Sequence, residues 1–212
     1  MAPSFNTSSK AKGSNGRGSY APAQTRQLLL DNALELFGSQ GFHATSVQTI
    51  VDQAGLTKGA FYHHFASKED LLRLIHDQFL DVQRGMIGEI VAAHDSPVDQ
   101  LREMVRASVL TTALYRQHVA VFFQERRFLT GARASDVHGS RDAFEEQIES
   151  VIRAGMESGD FDRSISPRVA LFGIVGMSAW VYQWYRPDGP LPVEEIADAL
   201  ASMAVNGLLH RD

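Results

Sequence analysis

The chain has 212 residues, 44% of them hydrophobic, and no cysteine. That is apolar material enough for a sizeable core, and the lack of thiols excludes disulfides, thiolate metal sites and cysteine nucleophiles. The net charge of −5 is unevenly spread: residues 1–68 carry +3 and the remainder −8, a basic front on an acidic body that suits DNA at one end only. No run reaches the roughly 18 apolar residues that a membrane-spanning helix needs, so no membrane partner is expected. The N-terminus lacks the apolar stretch of a secretory signal, which points to the cytoplasm.

Residues 1–20 are rich in Ser, Gly and Asn and include Lys10, Lys12 and Arg17. They bury too little apolar surface to offset their ordering entropy, so 1–21 is expected to be a disordered basic tail. Such a tail is either passive or an arm on DNA phosphates. From Thr25 the pattern is helical. Leu29, Ala33, Leu36 and Phe37 form one stripe of a helix that stops before Gly41. Thr45 with Gln48 three residues on reads as a capping box opening a short helix with Val47, Ile50, Val51 and Ala54. Gly55 breaks it, and Thr57 starts a second short helix with Phe61 and Phe65 on one face. Ser67 opens a long helix reaching to about Ala93. Ser96-Pro97 and Ser166-Pro167 mark two further starts, Gly159 an end, and Pro187 to Pro192 a loop. Val193, Ile196, Ala197, Leu200, Ala204 and Leu208 stripe a final helix. The expected fold is all-α, with about nine helices and no strand.

Two short helices joined by the tight turn Ala54-Gly55-Leu56 follow the helix-turn-helix plan, whose second helix lies in the major groove. With Phe61 and Phe65 turned to the core, Lys58, Gly59, Tyr62 and His63 point outward. Lysine and tyrosine donate to phosphates, histidine reaches a phosphate or base edge, and glycine lets the backbone approach. Helix-start N–H groups beside Thr45 and Ser46 add a place for an anion.

The stretch TSVQTIVDQAGLTKGAFYHHFASKEDLL, extended back through TRQLLLDNALELFGSQGF, resembles the N-terminal signature of the TetR/AcrR family of transcriptional regulators. The resemblance runs without a gap from Thr25 to Leu72, and YHHF and SKEDL are its distinctive elements. It implies a DNA-binding domain over 22–68, a larger effector and dimerisation domain over 69–212, and a homodimer on a palindromic double-stranded operator. The family's DNA contacts carry over to Thr45, Ser46, Lys58, Gly59, Ala60, Tyr62, His63 and Lys68. Asn32 stands where the family usually has alanine, and its polarity is expected to weaken the packing of the first helix.

Neighbouring His63 and His64 lie about 100° apart on a helix and cannot chelate one ion together. The other histidines are scattered, so neither a metal nor a cofactor is expected. Gly176-Met-Ser178-Ala-Trp180 half matches a hydrolase nucleophile elbow, but no strand precedes it and Trp180 stands where glycine is required. An enzyme is therefore not expected. Gly173, Gly176 and Ser178 read instead as small residues that allow close helix packing.

The C-terminal part is rich in aromatic residues, as the walls of a ligand cavity between helices are. Tyr115, Phe122, Phe123, Arg126, Phe144, Met177, Trp180 and Trp184 are the candidate effector-pocket residues. The segment WYRPDGPLPVEEIADAL is similar to that of family members that sense acyl-CoA thioesters, among them regulators of fatty-acid and sterol catabolism. That likeness implies a CoA thioester as effector, with Arg126, Arg127, Arg133 and Arg153 available for its phosphates. A hydrophobic drug, as in efflux-pump repressors, is the alternative. Resemblance also assigns 167–185 and 192–209 to a four-helix dimer interface.

Overall fold

The computed structural model describes the backbone of residues 21–125, 128 and 131–210, and their side chains except at 131–138 and 140. The basic tail, Arg126, Arg127 and the Arg133 side chain lie outside the described residues. Nine helices occur among those described: α1 (Pro22–Gln40), α2 (Val47–Ala54), α3 (Lys58–His64), α4 (Lys68–Ala93), α5 (Pro97–Leu114), α6 (Arg116–Glu125), α7 (Gly131–Ser158), α8 (Pro167–Trp184) and α9 (Val193–Leu208). There is no strand among them, only an isolated bridge between Phe161 and Leu209.

The caps explain the boundaries. Thr57, Ser67 and Ser96 each accept a backbone N–H from the third residue onward, and Ser96 is followed by proline at the first helical position. The cap of α2 departs from expectation. Ser46 accepts from Thr49 N–H, whereas the Thr45 hydroxyl donates to Gly41 O at 2.8 Å. Thr45 is 1% exposed and belongs to the turn, not to the helix start. Gly55 takes φ +67°, the left-handed conformation that closes the tight turn between α2 and α3.

One apolar core gathers Leu29, Ala33, Phe37, Ile50, Phe61, Phe65, Leu71 and Ile75, so α1 to α3 and the first turns of α4 close around it. Val121 and Phe122 of α6 belong to the same cluster. A second core joins the far half of α4 (Ile87, Ile90) to α5, α7, α8 and α9. There α5 lies against α9, and Arg106 Nε bonds Asp198 Oδ1 at 2.8 Å across the pair. Asn32 does not leave an unpaired amide: its Nδ2 donates to Leu28 O at 2.8 Å, within its own helix. Thus α4 is a single rod of 26 residues that starts in one core and ends in the other.

Candidate DNA-binding face and effector cavity

Burial of Phe61, and of Phe65 at the C-cap just after it, fixes the rotation of the seven-residue α3 and so its outward face. On that face Lys58, Gly59, Tyr62 and His63 are exposed, Tyr62 to 58%, and Ala60 is half-buried. Ser46 is exposed beside them at the start of α2.

Lys68 is placed differently. Its ammonium donates to Phe42 O at 2.6 Å and Thr45 O at 2.7 Å and sits 4.1 Å from the centre of the Phe42 ring. Burial pushes its pKa below the usual lysine value. Two of its three N–H bonds are therefore committed to the turn before α2, leaving one for a phosphate. On the other side of that turn, the buried Glu125 carboxylate of α6 accepts Phe42 N–H at 3.2 Å. An ammonium on the carbonyls and a carboxylate on the amide clamp the turn that launches the helix-turn-helix. Long-range pairing of this kind leaves no local pattern, and the sequence offered no sign of it.

Between α4, α5, α6, α7 and α8 lies a narrow cavity of about 60 Å³, partly open to solvent. Phe79, Leu80 and Gln83 of α4 form one wall; Phe122, Phe123 and Phe144 bring aromatic faces from α6 and α7. These last three were expected in an effector pocket. Tyr115 instead packs behind the wall against Phe79, with ring centres 6.2 Å apart. Met177 packs at the edge of the second core. Trp180 and Trp184 project outward from α8, Trp180 to 58% exposure. None of these four is among the cavity's described lining. The reason is helical phase: residues of α8 at 171, 174, 178 and 181 face inward, while Val169, Phe172, Gly173, Gly176, Trp180 and Trp184 form the opposite stripe. With Met203 of α9, that stripe is an exposed apolar face.

Polar groups reach the cavity as well: Gln83, Ser108, Thr112, Ser178, Arg141 and Glu145. Sequence reasoning missed all of them as ligand contacts, since each is unremarkable on its own helix. Glu145 is buried and holds two guanidiniums, Arg141 Nε at 2.7 Å and Arg168 Nη2 at 3.1 Å. Arg153, expected at a phosphate-binding mouth, instead bonds Glu149 at 2.7 Å and also Glu146. Among the described residues, no group of three or more His, Asp or Glu is placed to hold a metal ion, and no helix is long and apolar enough to cross a membrane.

Residues 29–75 match the bacterial regulatory proteins of the tetR family, and residues 94–208 match the tetracyclin repressor-like C-terminal domain. The chain belongs to the TetR family. As a TetR-family member it is a transcriptional regulator and not an enzyme. It is 34% identical over 185 residues to the HTH-type transcriptional repressor KstR2 of Rhodococcus jostii, covering 86% of this chain and 90% of that protein. The solved structure of the ketosteroid transcriptional regulator KstR2 of Mycobacterium tuberculosis superposes with a TM-score of 0.79 at 26% identity, over 94% of this chain and 98% of that one. AibR, solved in complex with isovaleryl coenzyme A and operator DNA, gives a TM-score of 0.76 at 29% identity, over 84% and 97% of the two chains.

Proposed function

We propose that this TetR-family chain is a repressor whose homodimer grips a palindromic operator through α3 and releases it when a hydrophobic effector fills the cavity, and that this effector is a CoA thioester. It acts on DNA in the cytoplasm. The observation that carries the reading is the shared use of α4. Phe79, Leu80 and Gln83 line the cavity, while Leu71 and Ile75 of the same helix are built into the core beneath α3. A ligand that prefers one tilt of that rod changes the separation of two recognition helices, which must lie about 34 Å apart to meet successive major grooves. The apolar stripe of α8 and the exposed Met203 of α9 support a two-fold interface between copies. The DNA contacts in this reading are Ser46, Lys58, Gly59, Ala60, Tyr62 and His63, with the backbone at Thr45 and the remaining N–H of Lys68.

Support for a CoA thioester comes from AibR, whose structure holds isovaleryl coenzyme A. A non-CoA hydrophobic ligand is the second reading, favoured by the predominance of apolar and aromatic side chains in the lining. The test is a mobility-shift titration of the chain's own upstream DNA, repeated with acyl-CoAs and with the matching free acids. A coupling of about 5- to 150-fold is expected for the correct effector. Release by free acids alone would favour the second reading. Tyr62→Ala is expected to weaken operator binding about 10- to 100-fold with the dimer intact; unchanged affinity would remove α3 from the interface.

A further inference from the structure

Ser178 lies in the segment that half resembles a nucleophile elbow, and the fold gives it another use. It is 3% exposed, and its Oγ has no hydrogen-bond partner. A serine within a helix commonly returns its hydroxyl to the carbonyl one turn back; Ser178 does not. Ser178 is among the residues that line the cavity, with Ile174 one turn before it on the same helix and Phe122, Phe144 and Ile148 on the facing ones. The glycines of the same segment, Gly173 and Gly176, lie on the opposite, exposed stripe of α8, so the three small residues expected to allow close helix packing do not share a face.

A buried hydroxyl that no protein group satisfies is unfavourable, and a ligand atom that completes it is bound selectively. The atom is neutral, because an ion would exchange its hydration for apolar walls. The charged groups of the described lining, Arg141 and Glu145, already bond each other. We propose that Ser178 reads a hydroxyl or keto oxygen on the hydrocarbon part of the effector, so that the cavity prefers an oxygenated apolar molecule to its hydrocarbon isostere. This rests on the cavity being the effector site. Ser178 both donates and accepts, so either oxygen satisfies it.

The test is calorimetric titration of the full-length protein and its Ser178→Ala variant with 2-naphthol and 2-methylnaphthalene, which differ by a hydroxyl against a methyl group. The wild type is expected to prefer 2-naphthol by about tenfold. Ser178→Ala is expected to lose that preference while its ligand-free melting temperature stays level or rises, since an unpaired polar atom has left the core. The same preference in both proteins would overturn the role of Ser178 and leave the cavity reading standing. Equal weakening of both probes with a lower melting temperature marks a structural serine and overturns the proposal. Failure of both probes to bind the wild type would overturn the effector-cavity reading, and this proposal with it.

Discussion

His76 occupies a place on α4 where a hydrocarbon would be less costly. It is 1% exposed, neither ring nitrogen has a hydrogen-bond partner, and the ring meets Phe122 edge to face at 4.8 Å. Burial, reinforced by nearby His118, pushes its pKa down to about 3, and burial pushes His118 down to about 4. The folded value of His76 lies below the unfolded one of 6.5, so the unfolded chain takes up a proton that the folded chain refuses. Stability from this group is therefore complete above about pH 6.5 and is lost progressively as pH falls toward 3. By pH 5 the loss attributable to His76 is about 2 kcal/mol. Urea unfolding at pH 7 and pH 5 checks it: His76→Leu is expected to remove that share of the pH dependence, and an equally steep dependence in the variant would contradict the assignment. A histidine's burial cannot be read from its letter, because His76 faces α6, more than forty residues along the chain. Lys68 teaches the same lesson. Its position at a helix start was legible, but the two carbonyls that hold it are contributed by Phe42 and Thr45.

Among the helices, α6 does the most with the fewest residues. Val119, Phe122 and Phe123 line the cavity, Glu125 holds the amide of Phe42, and Gln117 Nε2 donates to Leu34 O at 3.3 Å. The same ten residues thus touch ligand space, the body of α1 and the α1–α2 connection. Glu125→Ala leaves a buried amide unpaired, and a loss of about 1–3 kcal/mol is expected from thermal or urea unfolding. A variant as stable as the parent would show that the clamp contributes nothing. The helices themselves were largely legible because their stop and start signals are local: Thr57, Ser67 and Ser96 act on N–H groups three residues away. Two expected caps do not form: Ser166 stands before α8 without a side-chain cap bond, and Thr45 is drawn toward the residues before it. Its hydroxyl is drawn back to Gly41 O and accepts from Gln40 Nε2 at 3.3 Å, so the next residue takes over.

For the whole molecule, the exposed stripe of α8 predicts the assembly. Trp180→Glu places a charge on a surface that is already open in the single chain, so folding is expected to persist while the dimer dissociates. Sedimentation velocity with circular dichroism separates these outcomes, and operator affinity is expected to fall with the dimer; a dimer unaffected by the change would exclude this face. The outward face of α3 was legible in advance because the buried Phe61 and Phe65 dictate it. The cavity was only half legible. Phe122, Phe123 and Phe144 announce themselves by size, whereas Gln83, Ser108, Thr112 and Ser178 become neighbours only when three separate helices converge.

The length of α4 has a mechanical consequence. At 1.5 Å per residue, Gln83 lies about 15 Å from the Ala93 end and Lys68 about 38 Å from it. If that distant end is the fulcrum, movement at the cavity is magnified roughly two and a half times at the reading head. A displacement of about 1.4 Å beside the ligand then becomes about 3.4 Å, one base-pair step along the duplex. On that geometry a small swelling at the cavity is sufficient to carry α3 out of register, with no large rearrangement.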